Sequence, residues 1–331
     1  MKTLFALAMF VLASTTLAQS EFKPTAQETF VPPGAKLDLV FEEGEFTEGP
    51  VLASDGAILF SDIGNRILRF DPKTGKTTVF REPSGRANGL MFDPQGRLLA
   101  AEGANTGGNR RISITESDGR VRTLADRYDG KRFNSPNDLA VDRQGRVYFT
   151  DPRYVGNEPR ELNFEAVFLV HTDGKVVVAT REVAKPNGIL VSPDGNTVYV
   201  AESDSRAEGP HQLLAFDVGA DASLSRKRVL YDFGANRRGI DGMTLDREGN
   251  IYATAGRDDL AGIYIFSPRG EHLARIPMPG DPTNCVFGGG AESTTLYITA
   301  ANPKPEQAST PRKYGLYRIR LANEGHRLFP Q

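Results

Sequence analysis

Asn137-Asp138-Leu139-Ala140-Val141-Asp142-Arg143-Gln144-Gly145-Arg146-Val147-Tyr148-Phe149-Thr150-Asp151 reads as a polar lead, a short apolar stretch, a turn closed by glycine and a second apolar strand. The same phrase begins at Glu48-Gly49-Pro50, Asn88-Gly89-Leu90, Asn187-Gly188-Ile189 and Asp241-Gly242-Met243. In all five copies the turn glycine (Gly56, Gly96, Gly145, Gly195, Gly249) stands eight residues after the lead. A sixth, degenerate copy starts at Asn284-Cys285-Val286, with Glu292 where the glycine is expected. Successive leads lie 40 to 54 residues apart, a period that belongs to repeat architectures.

Each interval has room for four short strands. In the third copy the alternation of apolar positions predicts Asp138–Val141, Arg146–Thr150, Ala166–His171 and Lys175–Thr180, with turns at Asp142-Arg143-Gln144-Gly145 and Thr172-Asp173-Gly174. Four antiparallel strands per unit make a propeller blade, and six copies predict an all-β, six-bladed β-propeller. The last copy ends after its third strand, Gly315–Leu321, while an unassigned strand at Lys36–Phe41 precedes the first copy. Pairing those two would close the ring and cover an open edge. Two β-sandwiches are the competing reading, and the fixed lead-to-glycine spacing counts against them.

The chain has 331 residues, with 40 Lys+Arg against 42 Asp+Glu and a formal net charge of -2. That balance excludes the basic surface of a nucleic-acid binder. A single cysteine, Cys285, excludes a disulfide framework and a cysteine zinc site. At its start, Met1-Lys2 leads into an apolar run from Leu4 to Leu12, then Thr16-Leu17-Ala18 ahead of Gln19. This is the layout of a secretory signal over residues 1–18, too short to span a bilayer. The expectation is an exported chain, periplasmic or secreted, with one propeller domain over 19–331 and no membrane attachment once the signal is removed.

The first strand of each propeller blade lines the central channel, so the leads Glu48, Asn88, Asn137, Asn187, Asp241 and Asn284 should gather at one mouth. Second strands return to that mouth and should bring Asp62, Glu102, Asp151 and Glu202 around it. One Asn-Gly alone is a turn signal; six polar leads in register, two of them acidic, point to a cation site. Carboxylate and amide oxygens without His or Cys suit Ca2+ or Mg2+, with Mn2+ next. Of the four histidines only His211 is placed to approach the mouth, which counts against a Ser-His-Asp mechanism. No phosphate loop, dinucleotide fingerprint or Gly-x-Ser-x-Gly elbow is present.

Glu48-Gly49-Pro50, Arg132-Phe133-Asn134-Ser135-Pro136-Asn137-Asp138, Tyr148-Phe149-Thr150-Asp151-Pro152, Pro186-Asn187-Gly188 and Ile240-Asp241-Gly242-Met243 together resemble the gluconolactonase and senescence-marker-protein (regucalcin-like) family. The resemblance runs over almost the whole mature chain. It implies a six-bladed propeller with one catalytic divalent cation at the channel mouth, usually calcium, with Mg2+, Mn2+ or Zn2+ as alternatives. The family's metal ligands carry over onto Glu48, Asn187 and Asp241, and Asn137 matches a position that completes the shell or meets substrate. Arg132 resembles a substrate-binding arginine, although Asn134-Ser135-Pro136 sets it further from Asn137 than the family pattern does. The implied reaction is hydrolysis of a small-molecule sugar lactone to its aldonic acid, with Asp241 as base and Asp151 as the alternative base. Asn88, Asn137 and Arg132 would hold the polyol hydroxyls; Tyr154, Arg206 and Arg257 stand on mouth-side loops. Relatives that hydrolyse phosphotriesters keep other esters open as substrates, and a non-catalytic binding scaffold is the reading from another class.

Overall fold

The computed structural model describes residues 25–104, 107–206, 208–235, 237–305, 307 and 309–327. The expected secretory signal falls outside these residues. The described chain forms six four-stranded antiparallel sheets, joined in sequence order around a channel. Blade 3 is built from Leu139–Val141, Val147–Thr150, Val167–Val170 and Val176–Thr180, each strand within a residue or two of its expected bounds. The inner strands of the other blades are Thr47–Leu52, Ala87–Phe92, Pro186–Val191, Met243–Leu245 and Pro282–Phe287.

Side chains alternate across a strand, and here the two faces of each blade meet different neighbours. Leu139, Val141, Val147 and Phe149 of blade 3 pack with Leu99, Ala101, Ile112 and Ile114 of blade 2. Ala140, Tyr148, Val167 and Leu169 turn the other way, onto Ile189, Val200 and Phe216 of blade 4. The core is therefore a set of layers between blades, and the rings of Phe149 and Phe168 stack at 5.4 Å in one of them. Burying a side chain of that size contributes roughly 1.5–3 kcal/mol.

The ring closes as the sequence predicts. Leu37–Gly44 pairs antiparallel with Tyr314–Arg320, so blade 6 takes its outer strand from the start of the chain. The turn glycines Gly56, Gly96, Gly145, Gly195 and Gly249 all hold φ between +74° and +89°, which explains their strict place in the repeat. In the degenerate copy the turn is rebuilt as a 3-10 turn at Gly290–Glu292, where Gly290 takes φ +59°. Besides the 3-10 turn Asp258–Leu260 of blade 5, two elements among the described residues have no counterpart in the repeat. One is the hairpin Arg127–Tyr128 with Lys131–Arg132 between blades 2 and 3. The other is a short helix, Gln27–Phe30, whose Phe30 seals the layer between blades 5 and 6 beside Tyr252. Among the described residues, no helix is long and apolar enough to cross a membrane.

Candidate active site

Inner strands can crowd at the channel mouth only if their backbones approach closely. The residue after the lead is glycine in four copies, and in three of them its N–H reaches the next blade: Gly89 to the Asn137 carbonyl, Gly188 to the Asp241 carbonyl, Gly242 to the Thr283 carbonyl, each at 2.8 Å. A Cβ on Gly242 would stand 2.0 Å from Asn284 Cγ, and one on Gly188 2.5 Å from the Asp241 carbonyl oxygen. Glycine is needed here for space.

This crowding brings Glu48, Asn88, Asn137, Asn187 and Asp241 to the wall of one cavity of about 1840 Å3. The sixth lead, Asn284, sits deeper; its carboxamide accepts the Cys285 N–H at 2.8 Å and bonds toward Glu48 and Asp138. Asn187 Nδ2 donates to Asp241 Oδ1 at 2.7 Å. Arg238 donates to Asp241 Oδ2 and, at 2.7 Å, to the Pro282 carbonyl, so one guanidinium ties the blade 5 lead to blade 6. Glu48 is 4% exposed, and its Oε2 accepts the Gly49 N–H at 2.9 Å.

Burial, and then the facing carboxylate of Asp241, holds the Glu48 carboxyl well above its ordinary range. Burial also raises Asp241, against the opposing pull of Arg238 and Asn187. Asp138, the residue after the third lead, points into the channel and is pushed up to about 7 by burial. Three buried carboxyls that disfavour one another's charge make a place where a cation would reverse the balance.

Among the described residues no three His, Cys, Asp or Glu side chains are gathered closely enough to hold an ion by themselves. The arrangement that fits a hard divalent cation instead combines two carboxylates, Glu48 and Asp241, with the carboxamide oxygens of Asn187 and Asn137.

The carboxylates expected around the mouth take another part. Asp151 Oδ2 and Oδ1 accept the N–H groups of Asn134 and Ser135, both at 2.7 Å. Asp62 Oδ1 accepts those of Glu45 and Phe46 at 3.0 Å, and Glu202 those of Ala184 and Lys185. Each acceptor latches the backbone three and two residues before the lead of its own blade. In blade 2 Asn65 takes those N–H groups, while Glu102 binds Arg81, Arg111 and Asn109. Asp151 is fully buried, is pushed up to about 7 by burial, and does not line the cavity.

Arg132 also lies off the cavity wall. It belongs to the hairpin between blades 2 and 3, and its Nη2 donates to the Asn109 carbonyl at 2.6 Å. Tyr154 does line the cavity; its hydroxyl donates to the Ser203 carbonyl at 2.9 Å beside Asn187. Burial keeps that hydroxyl protonated far above its ordinary value. His211 reaches the cavity, its Nε2–H given to the Asp204 carbonyl at 2.6 Å, and His272, which was not expected there, lines it too, with Nε2 on the Ala274 carbonyl at 2.7 Å. Sequence reasoning missed Arg238 and Asp138. Their signals were position alone, three residues before one lead and one residue after another.

Residues 46–302 match the profile of the SMP-30/Gluconolactonase/LRE-like region. A gluconolactonase of Zymomonas mobilis is 34% identical over 292 residues, covering 80% of this chain and 79% of that protein. The regucalcin of Xenopus laevis is 27% identical over 287 residues, covering 85% and 92%. Among solved structures, a gluconolactonase from Xanthomonas campestris superposes with a TM-score of 0.74 at 27% identity, over 91% of this chain and 96% of that one.

Proposed function

The chain belongs to the SMP-30/Gluconolactonase/LRE-like family, and from that premise we propose that it is a lactonase, a carboxylic-ester hydrolase opening sugar lactones to aldonic acids. The observation that carries the reading is the convergence of Glu48, Asn187 and Asp241, from three blades, on one cavity. A divalent cation, Ca2+ first with Mg2+, Mn2+ or Zn2+ as alternatives, would be held by Glu48, Asn137, Asn187 and Asp241 and, when bound, supplies Lewis-acid polarisation of a carbonyl.

The chain's own residues account for the rest. Asp241 accepts the proton of the attacking water, with Asn187 Nδ2 on its Oδ1 setting the direction of the carboxylate. Arg238 fixes Oδ2 and keeps the group from turning out of the channel. Asp151 has both oxygens committed to backbone N–H groups and serves to place the segment that ends in Asn137. The side chains of Asn88 and Asn137 face the cavity and hydrogen-bond the substrate hydroxyls. We place the mature protein outside the cytoplasm, in the periplasm or secreted, on the leader of residues 1–18.

A substrate panel tests the reading. D-Glucono-1,5-lactone, an aryl ester and a phosphotriester are offered to the same preparation. Lactone turnover well above the spontaneous rate, with the other two slower, supports it. Phosphotriester turnover exceeding lactone turnover would replace it with the second use of the same site.

A further inference from the structure

The cavity is far larger than one lactone ring needs, and its wall at blade 5 is cationic. Most of the arginines there are engaged: Arg238 with Asp241, Arg206 with Asp204, and Arg275 with the carbonyls of Asp259 and Ala261. Arg237 and Arg257 differ. Both line the cavity and are exposed, and among the described residues neither side chain has a hydrogen bond or ion pair, Arg257 acting on the neighbouring Asp258 carboxyl only through its charge. The two flank the first two strands of blade 5, Met243–Leu245 and Ile251–Ala255. Gly256 N–H bonds the Arg238 carbonyl at 3.1 Å, and this pairing sets the arginines that flank it side by side. The acidic neighbours are taken, Asp258 by Lys304 at 2.7 Å and Asp232 by Gln212 and the Gly234 N–H.

Two arginine side chains carried on paired backbone present ten N–H donors in planar forks suited to carboxylate, phosphate or sulfonate oxygens. Their place is fixed relative to the chemistry, because Arg238 between them holds Asp241. We propose that Arg237 and Arg257 recognise an anionic group on the substituent of the lactone remote from its ring carbonyl, making the substrate class acidic sugar lactones. This inference rests on the lactonase reading and narrows it.

The test compares kcat/KM for D-glucono-1,5-lactone, which is neutral, with D-glucaro-1,4-lactone and 6-phospho-D-glucono-1,5-lactone, in wild type and in the Arg237→Gln/Arg257→Gln double variant. The expected result is a preference for at least one acidic lactone that falls about tenfold in the double variant, the loss of charge-assisted hydrogen bonds. That preference should weaken with added salt, and the favoured compound identifies the group as carboxylate or phosphate. No preference in wild type, or one the double variant keeps, overturns the proposal. Calorimetric binding of 6-phosphogluconate, glucarate and gluconate reads the same pair without turnover. Tighter binding of 6-phosphogluconate that the double variant loses, with no lactone hydrolysed, sinks the lactonase reading and leaves the anion site standing. Equal binding of gluconate, 6-phosphogluconate and the dicarboxylate glucarate sinks the anion site, whatever the turnover of gluconolactone.

Discussion

Asp241 lines the cavity, with side-chain partners Asn187 on Oδ1 and Arg238 on Oδ2, so a change there should act on chemistry more than on folding. Asp241→Asn is expected to lower lactone hydrolysis by about 10²–10⁴-fold, the usual worth of a positioned acid–base group, with the thermal midpoint little changed. Asp151 should behave in the opposite way. Asp151→Asn removes one of the two acceptors for Asn134 and Ser135 and leaves a buried N–H unmatched, a cost of about 1–3 kcal/mol. Urea unfolding should record that loss, while the calcium affinity of the folded variant stays close to wild type. An Asp151→Asn protein of full stability and no activity would return Asp151 to the chemistry.

At the scale of elements, the leads were legible because register is a sequence property. Glu48, Asn88, Asn137, Asn187 and Asp241 each begin an inner strand at a fixed distance from a turn glycine, so a common mouth follows from the fold alone. The direction of a side chain at a strand end is not a sequence property. Asp62, Asp151 and Glu202 sit where the repeat puts them, yet they turn toward the backbone entering their own blades. Arg132 was displaced by a two-residue-stranded hairpin that no copy of the repeat contains. Arg238 and Asp138 matter through contacts between blades, which local pattern does not encode. Gly242 tests the interblade contact directly. Gly242→Ala would drive a Cβ into Asn284 and should destabilise by about 1–3 kcal/mol as overpacking, with calcium affinity reduced because Asn284 braces Glu48. Unchanged stability and affinity would mean the inner strands have slack.

For the whole molecule, closure and charge are linked. The strand Leu37–Gly44 from the chain's start completes blade 6, and Tyr314 of the adjacent strand stacks on Phe46, just before Glu48, with ring centroids at 4.4 Å. The closure and one side of the mouth are thus built by the same segment. Glu48, raised by burial and by Asp241, and Asp241, raised by burial, must lose protons before a cation can bind. Calcium affinity should therefore climb as pH rises from 5 to 8, with proton release on binding; an affinity flat across that range would contradict the paired-carboxylate site.

The most direct test is proton release from D-glucono-1,5-lactone in a pH-stat, first after chelation and then with Ca2+, Mg2+, Mn2+ or Zn2+ restored, in wild type and Asp241→Asn. Hydrolysis should disappear on chelation, return with calcium, and stay absent in the variant. Chelated protein that hydrolyses the lactone as fast as the restored protein, or an Asp241→Asn variant that matches wild type, would contradict this mechanism.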